Sequence, residues 1–546
     1  MRMLPGLANR VNDGNAKWYT LAISVLALFM AVLDNLVVNV ALPTISEDLS
    51  ATPSQLQWIL SAYVLVFAST QITAGGLGDR FGRKKFFIAG VVLFTATSAM
   101  AAFVQSTEML IIARAAQGIG AAFIMPLSLS LISAAFPPHE RGKALGIWSA
   151  VSMSGLALGP IIGGFIVEYW TWHWIFLINV PIGIVTVLAA QAVLRESRDE
   201  SGQTATDIPG TVVVTAAIAS LTWGLIEAGE RGWGDSFIVG SLVAAVALFG
   251  LFVVVEQRSA NPMVPLRFFK SPTFTGANLV ALVVSFLISG IAFSMTLYYQ
   301  HVHGYSAVKT GLTMLPLVLT MMVVATLSGS LVNRFGGRWM IALGMVISGT
   351  SMFLFMRTGV DAIYLDILPA MVVLGIGNGL VFAPMTTAVL NSVETGKAGV
   401  ASAVNGAIRE TGFAFGVALL GTIMNQTYQQ RFDTSSEVLR LRDTSNPAFA
   451  PLQPVLDKIH EGINYAGRVI ENPAYFPGLP ADVTEAIRVA SSRAFISGMD
   501  RAFIISGTAT ILFSVVAWLL IRDEVAEPVK VEEEIDDLAI EPSIAD

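Results

Sequence analysis

Residues 75–84 read GGLGDRFGRK, and 254 positions later residues 329–338 read GSLVNRFGGR. Gly75, Leu77, Arg80 and Gly82 thus return as Gly329, Leu331, Arg334 and Gly336. At the same offset Gly142-Lys143-Ala144 returns as Gly396-Lys397-Ala398, and 257 positions separate Gly155, Gly159 and Gly164 from Gly412, Gly416 and Gly421. A chain that repeats itself in this order is built from two related halves, with room for an extra piece between them. Repeated halves with a site at their interface are the usual build of secondary transporters.

The surrounding composition says which solvent those halves occupy. Of 546 residues, 54% are hydrophobic and 13% charged, against roughly 25% charged in a soluble protein. Fourteen apolar runs are long enough to cross a ~30 Å hydrocarbon layer as helices: 18–42, 55–75, 86–105, 109–134, 144–168, 174–194, 208–228, 236–255, 273–300, 310–332, 339–357, 364–389, 398–426 and 499–521. The first is too long for a signal peptide and carries Asp34, so it is expected to stay in the mature protein. The fold class expected is therefore an all-α polytopic membrane protein of two six-helix bundles plus two inserted helices, 14 transmembrane helices in all.

The expected divisions are a cytoplasmic N-terminus (1–17), a first six-helix bundle (18–194), a linker with two extra transmembrane helices (195–272), a second bundle (273–521) and an acidic cytoplasmic tail (522–546). The second bundle contains an extracytoplasmic loop or cap at 427–498. The tail holds 10 acids and 2 bases, so the net charge of −7 resides there and the rest of the chain is near neutral. It reads as a solvated end. Without a long basic stretch, nucleic acid is excluded as a partner. Cys is 0, which removes thiolate metal sites and cysteine nucleophiles. His301 and His303 offer two metal ligands and no more, so no metal site is expected.

Orientation follows from the bases. With the N-terminus inside, the inner segments collect 19 Lys and Arg and the short outer loops 3, namely Arg231, Lys309 and Arg357. The positive-inside rule then places both termini in the cytoplasm of a multi-pass protein of the cytoplasmic (inner) membrane. Trp18, Trp58, Trp170, Trp172, Trp174, Trp223, Trp233, Trp339 and Trp518 lie near span ends, as interfacial anchors do.

Several polar side chains fall where a bilayer makes them costly. Asp34 lies about nine residues below Pro43, or ~13 Å from the outer end of its span, and Arg114 about five residues or ~8 Å from the outer end of another. An acid and a base at similar depth can stabilise each other's charge, and protonating the acid releases the attraction. Arg409 and Glu410 fall near mid-membrane; Glu410 could be a second proton site or bind a cationic substrate. Glu227, near the outer end of its helix, is expected to be solvated. Asn39, Tyr63, Gln117, Asn278, Asn378, Asn405 and Arg409 are candidates to line a cavity, with Phe-, Met- and Gly-rich helices as its adaptable apolar wall.

GGLGDRFGRK resembles the signature loop between helices 2 and 3 of the major facilitator superfamily. That resemblance implies a conformational latch made by Gly75, Asp79, Arg80, Gly82 and Arg83, weakened in the second copy, where Asn333 stands for Asp79. The stretch around Arg114, LIIARAAQGIGAA (110–122), is similar to the superfamily's fourth-helix motif. GLALGPIIGG (155–164), with Gly155, Gly159, Pro160, Gly163 and Gly164, resembles its antiporter motif. LDNLVVNVALP (33–43) matches the first-helix pattern of its fourteen-helix drug:proton antiporters, supported by Gln57-Trp58-Ile59 and by WHWIFLINVP (172–181), where the family usually has Arg in place of His173.

The resemblance implies a proton-coupled antiporter exporting hydrophobic or amphiphilic small molecules of the multidrug efflux type, not an enzyme. Its partners would be that substrate, protons and the lipid bilayer; the proton gradient drives it and no cofactor is required. The alternatives are a proton-coupled importer, or a lipid-handling or envelope-partner-docking transporter organised around the outer loop 427–498. No phosphate-binding loop is present to support ATP-driven pumping.

Overall fold

Residues 13–51, 53–198, 207–259, 262–442, 447–460 and 481–522 are described by the structure, a computed structural model. Residues 1–12, most of the acidic tail, part of the linker and the centre of the 427–498 segment lie outside the described residues.

Fourteen long helices follow in order: α1 (Asp13–Leu49), α2 (Pro53–Phe81), α3 (Arg83–Ala101), α4 (Thr107–Ala135), α5 (Pro138–Tyr169), α6 (Trp174–Val193), α7 (Ile208–Arg231), α8 (Ser236–Arg258), α9 (Pro272–Leu297), α10 (Leu315–Phe335), α11 (Gly337–Phe355), α12 (Tyr364–Asn391), α13 (Ala398–Asp433) and α14 (Ala481–Leu520). No strand occurs among the described residues. Thirteen of the helices meet the length and apolarity needed to cross a membrane. The remaining one, α5, is long enough at 32 residues, and several of its side chains, Pro160 included, lie outside the described set.

Local signals set the helix starts. Ser106 caps α4 by accepting from Met109 N, Asp207 caps α7 by accepting from Gly210 N, Asp235 caps α8 and Ser271 caps α9. Each satisfies an orphan amide at a first turn. Between α2 and α3 the whole reversal falls on Gly82, at φ +120°, and the equivalent Gly336 turns α10 into α11 at φ +79°. Only glycine takes these angles without strain. This corrects the loop reading of residues 75–81: they continue α2 as helix, and Gly75 and Gly78 serve close packing there.

Helices α1–α6 form one bundle and α9–α14 the other, and they meet through two related crossings, α2 against α13 and α5 against α10. The sequence repeat explains the pairing, since α10 repeats α2 and α13 repeats α5. Glycines sit at both crossings. A Cβ on Gly75 would stand 2.5 Å from Gly399 O, and one on Gly146 would stand 2.8 Å from Ala325 O. Helices α7 and α8 pair with each other, and α7 lies against α2 and α13.

At one end of the molecule, here called the basic end, lie Arg80, Arg83, Lys84, Lys143, Arg334 and Lys397. At the other, α13 and α14 run past the bundle and hold short helices at Ser436–Leu441, Pro447–Leu452 and Gln453–His460. This cap shares the core of the second bundle: Val438, Leu441, Leu452, Leu456 and Ile459 pack with Tyr428, Phe432 and Ile487. Tyr428 Oη donates to Ile459 O at 2.9 Å and lies 2.9 Å from Ser491 Oγ. Glu227 is buried, 6% exposed, and paired with Arg231 Nε at 2.8 Å. That corrects its expected solvation: one turn on, Arg231 reaches back and covers it.

Candidate functional site

The first bundle encloses an ion pair with no access to water. Arg114 on α4 is 0% exposed and Asp34 on α1 is 2% exposed, and Arg114 Nη1 donates to Asp34 Oδ2. Arg114 Nη1 also donates to Gln117 Oε1 at 2.8 Å, and its Nε to Ile59 O at 3.4 Å. The guanidinium lies 4.3 Å from the centre of the Tyr63 ring, and Tyr63 Oη donates to Ala31 O at 3.2 Å. The other carboxylate oxygen, Oδ1, accepts from Gln117 Nε2 at 2.9 Å and from Asn179 Nδ2 at 2.7 Å. Asn179 in turn donates to Ser98 Oγ at 3.0 Å.

Five helices of one bundle thus meet in this cluster, and α4 and α6 bond the α1 carboxylate directly. Taking both charges out of water costs several kcal/mol per ion, which only close pairing and full hydrogen bonding offset. Arg114 Nη2 and Asn179 Oδ1 are buried without a partner, so the network has one donor and one acceptor to spare. Asn179 and Ser98 were not singled out as site residues. The available signal was Asn179 itself, a lone amide in the apolar run WIFLINV.

A cavity of 480 Å³ lies between the two bundles in their cap-side halves. Its wall is largely apolar, with Ile288, Phe293, Met314, Leu317, Phe413 and Val417 from the second bundle facing Leu36 and Val40 of α1. Asn39, Ser289, Thr296, Gln300, Thr310 and Asn378 supply the polar groups, and among the described residues no charged side chain lines it. Of the seven polar candidates, Asn39 and Asn378 therefore line the cavity, while Tyr63 and Gln117 belong to the ion-pair cluster. Asn405 donates to Asn278 at 3.1 Å within the second bundle. Arg409 is buried, 8% exposed, with its guanidinium 5.7 Å from the Phe382 ring. Glu410 is half-buried on the helix face that carries Phe413 and Val417, one turn toward the basic end.

Helix α1 separates the ion pair from the cavity. Two residues advance a helix by ~200°, so Asp34 and Leu36 point to opposite sides. The glycines of α5 hold α1 there: a Cβ on Gly159 would meet Leu36 Cβ at 2.6 Å, and one on Gly163 would meet Val37 at 3.1 Å, while Gly155 faces Val32 and Gly164 faces Val308.

At the basic end the two bundles are tied shut. Asp79 and Arg83 are each 2% exposed, and Arg83 Nε donates to Asp79 Oδ1 at 2.7 Å. Ser130 Oγ donates to the same oxygen at 3.2 Å. Across the interface, Val400 N at the start of α13 donates to Asp79 Oδ2 at 2.9 Å, and Arg83 Nη2 donates to Gly396 O at 2.9 Å. The carboxylate sits at a helix N-terminus, where the orphan amides and the helix dipole favour an anion. Arg80 Nη2 donates to Pro262 O at 3.0 Å. Gly75 packs on Gly399 just beyond. Of the five candidate latch residues, Gly75, Asp79 and Arg83 meet the second bundle at this crossing, while Arg80 reaches the chain after α8 and Gly82 turns beside Glu196.

The sequence model described as Major Facilitator Superfamily matches residues 24–417. The tetracenomycin C resistance and export protein of Streptomyces glaucescens is 33% identical over 502 residues, covering 92% of this chain and 91% of its own. The multidrug resistance protein Stp of Mycobacterium tuberculosis (strain CDC 1551 / Oshkosh) is 35% identical over 74% of this chain and 75% of its own, and the puromycin resistance protein pur8 of Streptomyces alboniger is 33% identical over 74% and 82%. Among solved structures, the human organic anion transporter MFSD10 aligns at a TM-score of 0.58 with 12% identity, covering 90% of this chain and 99% of its own. The proton:xylose symporter XylE aligns at 0.56 with 14% identity, covering 94% and 97%. At such identities these two speak for the fold alone.

Proposed function

The chain belongs to the major facilitator superfamily, a family of transporters and not of enzymes, and on that premise we propose that it exports hydrophobic or amphiphilic small molecules in exchange for protons. The observation that carries the proposal is the buried Asp34–Arg114 pair, set one helix away from an apolar cavity between the bundles. An intramembrane ionisable residue is a functional-site candidate by default, and an acid paired with a base can take up or release a proton as that partner moves. Export is drawn from the relatives, named for resistance and export. The apolar, uncharged wall suits a hydrophobic cargo oriented by a few neutral polar groups.

In this reading Asp34 takes a proton from the cap side. The neutral acid no longer holds Arg114, whose guanidinium turns to its spare bonding capacity, and α1 is freed to shift against the α5 glycines. That movement changes the cavity wall at Leu36 and Asn39, and cargo leaves toward the cap. Opening the Asp79 crossing exposes the site to the basic end, where Asp34 loses its proton and new cargo enters. The proton gradient is the energy source and no cofactor takes part. The charge asymmetry of the loops supports a cytoplasmic membrane location with both termini and the basic end facing the cytoplasm. The two bundles act as rocking bodies, and Glu410 is the next acid in line.

The test is transport in proteoliposomes with an imposed pH gradient. Asp34→Asn keeps the size and removes the titration, so dye export driven by the gradient should fail while cargo still binds. Gradient-driven export that persists in Asp34→Asn, with proton release on cargo binding unchanged, would remove Asp34 from the coupling.

A further inference from the structure

On the outer face of the second bundle, away from both the cavity and the ion pair, Leu331 and Phe335 of α10, Trp339 and Leu343 of α11, and Val515 and Trp518 of α14 frame a recessed groove of 740 Å³. It runs about 10 Å along α11, from Trp339 to Val346. Its walls are exposed to the bilayer, with Trp339 61%, Phe335 57% and Val515 57% exposed, and at the basic end it finishes in polar groups. Trp339 and Trp518 meet edge to face at 5.8 Å. The Trp518 Nε1 atom is shielded from solvent and bonds to no acceptor among the described residues, although an indole N–H in such a place usually finds one. Arg338 lies over the Trp518 ring at 4.0 Å. Arg334 lies over the Phe335 ring at 5.5 Å and has no acidic partner among the described residues.

The internal repeat sharpens the meaning of this corner. Its counterpart in the first half is the start of α3, where Lys84 answers to Arg338 and Lys85 to Trp339. There the chain supplies its own anion: Glu196 accepts from Lys84 N at 3.0 Å and from Lys85 N at 3.2 Å. In the second half Arg338 is engaged, its Nε donating to Trp518 O at 2.5 Å, which leaves Arg334 and the Trp518 indole N–H beside an alkyl-sized groove.

We propose that this groove binds one anionic glycerophospholipid. One acyl chain lies in the groove against Leu343 and Val515, the phosphate takes the Arg334 charge, and a turn of the Trp518 ring, which lines the groove, brings its shielded N–H to the same phosphate. Basic pockets between transmembrane helices are where anionic headgroups bind, each base contributing about fivefold in affinity near such a surface. The site is independent of the transported cargo, because none of its residues lines the cavity.

The experiment is native mass spectrometry of the full chain released from mixed micelles of dioleoyl phosphatidylglycerol and dioleoyl phosphatidylcholine. One phosphatidylglycerol should be retained in preference to phosphatidylcholine. Arg334→Gln should lower that retention by about fivefold, Trp518→Phe should lower it while leaving phosphatidylcholine adducts unchanged, and Leu343→Trp, which fills the groove from a lipid-facing position, should abolish it. Glycerol 3-phosphate, a headgroup without chains, should not displace the lipid. Equal retention of the two lipids, retention unmoved by both Arg334→Gln and Leu343→Trp, or displacement by glycerol 3-phosphate would overturn the proposal. A preference that is missing in the full chain and emerges only when the chain is ended at Arg522 would overturn it too, in favour of the chain's own acidic tail.

Discussion

Replacing Asp79 by Asn should open the basic end without weakening cargo binding. The Asp79 carboxylate and the Arg83 guanidinium make, among others, the bonds to each other, to Ser130, to Val400 N and to Gly396 O, of which the last two cross between the bundles. An Asn that keeps its oxygen toward Arg83 presents its NH2 to the Val400 N–H, donor against donor. The closed state then loses one hydrogen bond to a charged group, about 1.5–3 kcal/mol. The uncompensated Arg83 charge costs about 3–5 kcal/mol but weighs on open and closed states alike, so it lowers overall stability more than the ratio. At 1.4 kcal/mol per decade, the closed-to-open ratio should fall by about tenfold to a hundredfold. The chain contains no cysteine, so spin labels on Lys85→Cys and Glu394→Cys report one defined distance across the crossing by double electron–electron resonance. The expected result is a longer-distance population in Asp79→Asn and a slower turnover at an unchanged KM. An unchanged distance distribution together with weakened cargo affinity would refute the reasoning and move Asp79 into the binding site.

Arg114→Lys should abolish gradient-driven transport, because an ammonium cannot reproduce the fork that serves Asp34, Gln117 and Ile59 O together; transport in proteoliposomes reads it. Tyr428→Phe should lower cap stability by about 1–3 kcal/mol, two buried hydrogen bonds at roughly 1 kcal/mol each plus a stranded partner, seen as faster proteolysis within the 427–498 segment and a lower Tm. His303 lies past the end of the α9 span, where burial first and the Lys309 ammonium second hold its pKa below the ordinary 6.5. The unfolded chain therefore binds that proton first, so stability is full at higher pH and declines as pH falls below about 6.5. Thermal melts of His303→Gln should lose that slope.

The membrane spans were legible because a bilayer demands some twenty apolar residues in a row and tolerates few charges, so Asp34, Arg114 and Asp79 stood out against their surroundings. The rest of the cluster was less so: Gln117 was expected at the cavity, and Asn179 and Ser98 are ordinary polar residues whose part shows only once the fold brings Gln117 and Asn179 to the Asp34 carboxylate and Ser98 to Asn179. The glycines of 75–81 suggested a loop, and the structure uses them for packing within α2, since small residues serve both purposes and sequence does not separate them. Glu227 misled in another way: position near a span end says nothing of an arginine one turn on. Asn278 and Asn405 answer each other across α9 and α13, a pairing that a separation of 127 positions conceals.

The α7–α8 pair is fastened differently at its two ends. Toward the basic end it holds the first bundle, through Thr215 to Thr73 at 3.1 Å and through the Arg80–Pro262 bond just after α8. Toward the cap it holds the second, where Trp233 Nε1 donates to Thr422 Oγ1 at 2.8 Å and the Trp233 ring abuts Phe415. A member pinned to opposite corners of a two-part frame is a diagonal brace: it resists shear between the parts while leaving each rigid in itself. Any rocking of the bundles must therefore stretch the brace or unpin a corner. Besides the apolar packing that α7 shares with α13 along its length, the Trp233 corner rests on one hydroxyl and one ring contact, so in the rocking cycle proposed above it is the lighter of the two polar joints.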